Sequence, residues 1–323
     1  MDRVGELLGS VTPDQLGVEI GPWFNPIAPK SKGYHSLALD VYDVERLTEI
    51  ARQDPGIPDE MVQNIEDVDL LGQAMDLAQL IQERGLSAQI DYVISAHNFE
   101  HLPDPIRFIQ ACEQVLRPGG ALSMAIPDRR TCFDYFRPCS TTGDLLDAFW
   151  EGRDRPTPGQ LFTHHALHAY NSIDGVDRSG WSITSDPSPI RAVGSLETAF
   201  SRALLERTAP SAYPDVHCWT FTPASLEWII TDLQAVGLVK MKINKIVGPN
   251  GHEFYARLVN EAPELPSIGS PEFARQRTEL LHRVNDEAGM NSRVSPARDR
   301  KSGAVPGLGN AGAILPQLSG RSH

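Results

Sequence analysis

The chain has 323 residues, a formal net charge of −13 at neutral pH and 41% hydrophobic residues. That length suits one large α/β domain with additions, or two domains, with enough apolar content for a sizeable core. The acidic balance disfavours a nucleic-acid backbone as partner, and no uncharged apolar run is long enough to span a membrane. Cys112, Cys132, Cys139 and Cys218 show no Cys-x-x-Cys spacing, which fits a reducing compartment. With no basic-plus-apolar leader in view, the expectation is a soluble cytoplasmic protein.

A short helix is expected around Val4 to Leu8. Leu16 to Ile20 reads as a first strand that runs into Gly21-Pro22-Trp23-Phe24-Asn25-Pro26. Gly21 permits close backbone approach to a ligand at the strand end. G-x-G-x-x-G is absent, which weighs against a nicotinamide dinucleotide. Leu37 to Asp40 closes a second strand, and Asp40 stands about 20 positions past the glycine turn, where doubly wound folds place a ribose acceptor. A helix follows from Val44 to Ala51, then a turn-rich break. Met61 to Ile65 reads as a third strand, with Glu66, Asp67 and Asp69 at the start of a helix from Leu70 to Arg84.

Tyr92 to Ala96 is short, mostly apolar and bounded by a turn, as a buried parallel strand would be. The loop His97-Asn98-Phe99-Glu100-His101 follows. Asp104 caps the next helix with Pro105 as its first residue. Ile106, Ile109, Cys112 and Leu116 recur at helical spacing, Arg117-Pro118-Gly119-Gly120 stops the helix, and Ala121 to Ile126 is the next strand. Ligands of such sheets bind at the carboxyl edge of the strands. His97-x-x-Glu100-His101 also matches the H-x-x-E-H of inverted zinc metallopeptidases. That chemistry needs both histidines on one face of a continuous helix, which the preceding strand and Pro103 and Pro105 deny, so no metal is expected on them.

Residues 128–216 are too long for a simple loop and read as an insertion above the carboxyl edge. They hold Arg130, a helix start at Ser140 to Asp144, and His164-His165-x-x-His168, where His164 and His168 would share a helix face. Trp181, Tyr213, His217 and Trp219 are candidates for an amphipathic pocket or for core. Thr222-Pro223-Ala224-Ser225 starts a helix with Leu226, Ile229, Ile230, Leu233 and Val236 on its buried face and Gly237 at its end. Leu238 to Val247 and Glu253 to Val259 form a hairpin. Glu261 to Pro271 is a linker, Phe273 to Glu287 a helix with Leu280, Leu281 and Val284 available to a partner, and the tail from Asn291 is expected to be disordered.

Three separated words carry a resemblance. Glu19-x-Gly21-Pro22-x-x-Asn25-Pro26 resembles a first methyltransferase motif that keeps only the first of the usual glycines. Asp91-x-Val93, His97-x-x-Glu100-His101-Leu102-x-Asp104-Pro105 and Val115-Leu116-Arg117-Pro118-Gly119-Gly120 resemble the second half of a class I S-adenosylmethionine-dependent methyltransferase. The words after Pro127 resemble a bacterial subgroup that accompanies glycan biosynthesis proteins. The resemblance implies a doubly wound, Rossmann-like α/β sheet of seven strands with helices on both faces. Its methyltransferase domain would span 1–127 and 217–260, with 128–216 a substrate lid and 261–323 a linker, helix and tail. It implies S-adenosylmethionine as cofactor, held by Glu19, Gly21, Pro22, Asn25, Asp40, Asp67, Val68, Ser95, Ala96 and His97. The reaction would be methyl transfer to a small polar acceptor, an oxygen of a sugar or related metabolite, with a glycan among the candidates and neither nucleic acid nor membrane as partner. His97, His101 and His165 are the candidate bases, and Arg130, His164, His168 and Trp219 the candidate acceptor contacts. A cofactor-binding protein without turnover is the alternative from another class, followed by the zinc peptidase.

Overall fold

The computed structural model describes residues 2–210 and 214–289. Tyr213 and the tail from Asn291 lie outside them. Among the described residues ten strands occur: β1 Leu16–Ile20, β2 His35–Asp40, β3 Leu70–Leu71, β4 Ile90–Ala96, β5 Leu116–Pro127, β6 Ala169–Ile173, β7 Val176–Arg178, β8 Ile190–Ala192, β9 Lys242–Asn250 and β10 Glu253–Val259. Seven make one sheet in the order β3-β2-β1-β4-β5-β10-β9, with β10 antiparallel to both its neighbours. The β1–β2, β1–β4, β2–β3 and β4–β5 pairs are parallel. Strand order reverses between β1 and β4, so the loops leaving their carboxyl ends part and open a crevice. This is a mixed α/β fold with a mostly parallel seven-stranded sheet flanked by helices.

Residues of β4 alternate between two apolar layers, as pleating requires. Val93 joins the large core with Ile106, Ile109 and Leu122, whereas Tyr92 and Ile94 join a smaller cluster with Leu7 and Ala125. The helices are α1 Arg3–Leu8, α2 Val44–Gln53, α3 Asp59–Val62, α4 Leu77–Glu83, α5 Pro105–Val115, α6 Thr142–Glu151, α7 Pro158–Ala166, α8 Leu196–Thr208, α9 Pro223–Ala235 and α10 Pro271–Gly289. Asp104 accepts from Arg107 N at 3.0 Å and Pro105 takes the first position of α5. Thr222 caps α9 through a reciprocal bond with Ser225. The α10 helix runs against α9, where Arg277 Nε meets Asp232 at 2.7 Å and Arg283 Nη2 meets Glu227 at 2.8 Å.

Several expectations fail for local reasons. Met61 to Ile65 is not the third strand. Pro58 and the acids Asp59 and Glu60 favour a helical first turn, and α3 forms instead. The third strand is Leu70–Leu71, which pairs with Leu39 and Asp40 and is too short to show a period. The helix expected from Leu70 therefore starts at Leu77, after a 3-10 turn at Ala74–Asp76. Val236 sits at the end of α9 and is 60% exposed, off the buried stripe of Leu226, Ile229, Ile230 and Leu233. His168 lies beyond the end of α7, so it shares no helix face with His164.

The insertion contributes α6, α7, α8 and a separate sheet in the order β7-β6-β8. It is tied to the loop after β5 through Ala169 N to Phe133 O at 2.9 Å and Trp181 N to Thr131 O at 2.8 Å. The returning chain then lies along that loop, with Arg129 N donating to Phe221 O at 2.9 Å and Ser140 N to Thr220 O at 3.0 Å.

Candidate active site

A cavity of about 440 Å³ opens at the carboxyl edge of β1 to β4, within the range of small-molecule and cofactor sites. Gly21 and Trp23 enter it from the loop after β1. Asp40, Val41 and Tyr42 enter after β2, Gly72 to Met75 after β3, and Ala96, His97, Asn98 and His101 after β4. Asp154, Arg155 and Pro156 of the insertion, with Pro214 and Asp215, complete the wall.

Gly21 adopts φ +58° with its N–H bonded to Leu39 O at 2.8 Å, and a Cβ there would meet nothing within 4 Å. The backbone thus turns tightly beside open space, which suits close approach by a ligand. Glu19 shapes that loop from below. Its buried carboxylate accepts from Ile27 N at 2.7 Å and Ala28 N at 2.9 Å, and burial pushes its pKa up to about 7. Glu19 does not line the cavity, and neither do Pro22 and Asn25, which form a turn with Asn25 N on Pro22 O at 3.0 Å. Trp23, at φ +42°, donates its indole N–H to Leu47 O at 3.3 Å. Asp40 accepts from Tyr42 N at 3.1 Å, and burial raises its carboxyl pKa.

Asp67 and Val68 are not among the lining residues. The short β3 moves the strand end to Leu71, so Gly72, Gln73, Ala74 and Met75 occupy the corner expected to hold them. Ser95 is buried and accepts from Asn98 Nδ2 at 3.1 Å, while Ala96 and His97 reach the cavity. His97 adopts φ +51°, its N–H bonded to Ala125 O at 2.9 Å. Its Nε2 lies 2.7 Å from Glu253 Oε2. At Glu253, burial, which would raise the pKa, is overcome by His97 and Arg3, and the value falls to about 2.

His101 lies on a 3-10 turn, Phe99–His101, and lines the cavity. Its Nδ1 contacts Asp215 Oδ1 at 2.9 Å and its ring meets that of His217 edge-on at 4.6 Å. Burial, which lowers its pKa, is outweighed by Asp215 and Glu100, so the net direction is upward.

The other expected acceptor contacts lie elsewhere. Arg130 is buried and clamped on Asp128 through Nε at 2.9 Å and Nη2 at 2.6 Å. Trp219 is core, its indole N–H on Leu102 O at 2.5 Å. His165 faces Arg202 across a small cleft against α8, apart from the main cavity. His168 stacks on Phe133 with centroids 4.6 Å apart. His164 accepts from His217 N at 3.1 Å, and burial, reinforced by His217, pulls its pKa down to about 3. The sequence reading missed Gly72 to Met75, Asp154 to Pro156 and Asp215 at the cavity, and the part played by His217 behind it.

The sheet order defines a Rossmann-like α/β protein, with its cavity at the reversal point where such folds bind ligands. Residues 59–124 match the family described as a methyltransferase domain. That match indicates S-adenosylmethionine as the cofactor and supports methylation as the chemistry. No curated protein matches the chain. Among solved structures, a SAM-dependent methyltransferase from Methanosarcina mazei is 15% identical over 79% of this chain and 96% of its own, with a TM-score of 0.37. A SAM-dependent methyltransferase from Thermotoga maritima is 14% identical over 80% and 88%, also with a TM-score of 0.37. A protein described as a zinc-dependent alcohol dehydrogenase from Rhodobacter sphaeroides is 12% identical over 80% and 89%, with a TM-score of 0.40. Superpositions this loose leave the architecture to be read from the sheet order itself.

Proposed function

We propose that the protein transfers a methyl group from S-adenosylmethionine to an oxygen of a small polar acceptor, a sugar or related metabolite. The observation that carries this reading is the convergence of Gly21, Asp40 and Ala96–Asn98 on one cavity at the β1/β4 reversal. In this reading Gly21 lets the backbone approach the cofactor, Asp40 accepts the ribose hydroxyls, and Gly72 to Met75 border the adenine in place of Asp67 and Val68. Glu19, Pro22, Asn25 and Ser95 hold the surrounding loops in shape. S-adenosylmethionine supplies a methyl group already activated on a sulfonium. The chain's task is then to orient the acceptor, exclude water and take up a proton.

An oxygen acceptor is favoured by the histidines at the cavity. His97 lies against Glu253, and a carboxylate behind an imidazole orients it as a general base; His101 lines the same cavity. Residues 128–216 serve as a lid, because Asp154, Arg155, Pro156, Pro214 and Asp215 close the cavity wall. His165, outside that wall, is a weaker candidate base than His97. The test is incubation of the protein and methyl-labelled S-adenosylmethionine with a metabolite extract, followed by mass spectrometry. A labelled O-methyl product supports the reading. Labelled N- or C-methyl products, or S-adenosylhomocysteine bound without any labelled product, refute it.

A further inference from the structure

Behind the cavity sits a buried carboxylate with no hydrogen-bond partner among the described residues. The Glu100 side chain is 1% exposed, and neither of its oxygens receives a hydrogen bond from the described residues. Burying such a group without a partner is costly. Three imidazole nitrogens converge on its Oε1: His101 Nε2 at 3.6 Å, His217 Nε2 at 3.7 Å and His97 Nδ1 at 3.7 Å. These separations are too long for hydrogen bonds. They are close to the spacing of ligands around one ion, since donors about 2.1 Å from a tetrahedral centre stand about 3.4 Å apart. The ligand atoms of Glu100, His101 and His217 all lie within 4.8 Å of one another.

The outward nitrogens strengthen the case. His217 Nδ1 lies 2.5 Å from Asp134 Oδ2, and Asp134 is itself held by Arg137 Nη1 at 2.7 Å. A carboxylate on the far nitrogen of His217 fixes the tautomer that presents its inner nitrogen's lone pair, the usual arrangement behind a metal-bound histidine. His101 Nδ1 lies 2.9 Å from Asp215 Oδ1 without the alignment of a hydrogen bond. Backbone bonds hold the two segments together, with Cys218 N on Glu100 O at 2.8 Å and Trp219 N on the same oxygen at 3.1 Å.

We propose that Glu100, His101 and His217 bind a divalent metal ion of the zinc class beside the cavity. Two imidazoles and one carboxylate suit such an ion and leave a fourth position open. His101 lines the cavity, with Glu100 and His217 behind it; in the proposal the open position takes an oxygen-bearing ligand such as an acceptor hydroxyl or carboxylate. The ion's role toward an acceptor rests on the methyl-transfer reading, whereas the site itself does not. A metal here departs from the expectation of none at His101. His97 and His101 share no helix face, and the histidine that joins His101 is His217, from a distant stretch. A neighbouring group, His97, His252 and Glu253, is a poorer site because Glu253 is already met by Arg3, His97 and Tyr255.

The experiment uses the full chain, stripped with a chelator and titrated with Zn(II) and, separately, Co(II). Bound metal is counted by elemental analysis, and cobalt geometry is read from its visible absorption. The expected result is one equivalent of tightly bound metal with a four-coordinate cobalt spectrum. Affinity should fall by at least about 100-fold in Glu100→Gln and in His101→Gln, with folding checked by circular dichroism, and should be kept in His252→Ala. Absence of stoichiometric binding overturns the proposal, as does binding that survives Glu100→Gln but is lost in His252→Ala. S-adenosylhomocysteine affinity measured on the same samples separates failure of this site from failure of the cofactor reading.

Discussion

Asp40→Asn isolates the proposed cofactor contact on which the functional reading leans most. Asp40 ends β2, lines the cavity and spends one acceptor position on Tyr42 N at 3.1 Å. An ionised carboxylate offers about four lone-pair sites, which leaves capacity for two ribose hydroxyls. Hydrogen bonds to a charged group are worth about 1.5–3 kcal/mol, so the variant should bind S-adenosylhomocysteine roughly 10- to 150-fold more weakly. Burial raises the Asp40 pKa in the free protein. A carboxyl raised above its unfolded value contributes stability at low pH that is lost as pH rises through the folded pKa. The neutral asparagine should therefore cost the fold nothing at pH 7.5. Calorimetric titration and thermal melting of the two proteins test both halves. Wild-type affinity should also weaken as pH falls through the raised Asp40 pKa, and the asparagine variant should lack that dependence. Unchanged affinity in a folded variant would remove Asp40 from the site and refute the reasoning.

Glu19→Gln should flatten a pH dependence of stability. Burial lifts Glu19 from 4.5 to about 7, so its contribution is full below the unfolded pKa and roughly 3 kcal/mol is lost as pH rises to 7 and beyond. Melting curves from pH 4.5 to 8 should fall for wild type and less for the variant, and parallel curves would contradict this. Arg130→Ala, by contrast, should act on folding rather than on the acceptor. It strands Asp128, which is 0% exposed, and breaking a buried pair of this kind costs about 3–5 kcal/mol. Urea unfolding would show the loss, and an Arg130→Ala protein of normal stability would mean that the Asp128 clamp contributes nothing.

Much of the sheet was legible because its strands are bounded by strong local signals. Leu16–Ile20, Leu37–Asp40, Tyr92–Ala96 and Glu253–Val259 each show an apolar run bounded by turn-forming residues: Gly21, Asp40, Asn98 and Asn260. The Asp104-Pro105 start of α5 is decided by one side-chain bond and one fixed φ, both local. The edge of the sheet was not legible. Leu70–Leu71 is two residues long and takes its conformation from pairing with Leu39 and Asp40. The apolar residues from Leu70 to Arg84 look continuous as a helix, and only the neighbouring strand splits them into a strand, a turn and a shorter helix. That single misplacement put the expected adenine corner at Asp67 and Val68, whereas Gly72 to Met75 line the cavity.

The cavity shows the same division more sharply. Gly21, Asp40 and His97 could be singled out because each sits where a strand ends, a position set by a few neighbours in sequence. His101 and Glu100 were visible too, but only as a motif that failed a helix test. Their setting depends on chain that returns after the whole insertion. Val216 to Phe221 lies along the Phe99–His101 turn, bonds to Glu100 O through Cys218 N and Trp219 N, and carries His217 to the Glu100 carboxylate. Asp134 and Arg137, from the other end of the insertion, then brace His217 from behind. At Asp134, burial, which would raise the pKa, is overcome by His217 and Arg137, and the carboxyl sits far below its ordinary range. The charge that orients His217 is thus held by an arginine that never reaches the cavity. No spacing rule within one element can register a set assembled from three separate stretches. The clue available in sequence was weaker: a Glu flanked by His97 and His101 in a loop, with further histidines in a distant insertion. Such a loop glutamate needs partners once it is buried, and His217, on the chain that returns after the insertion, comes within 3.7 Å of it.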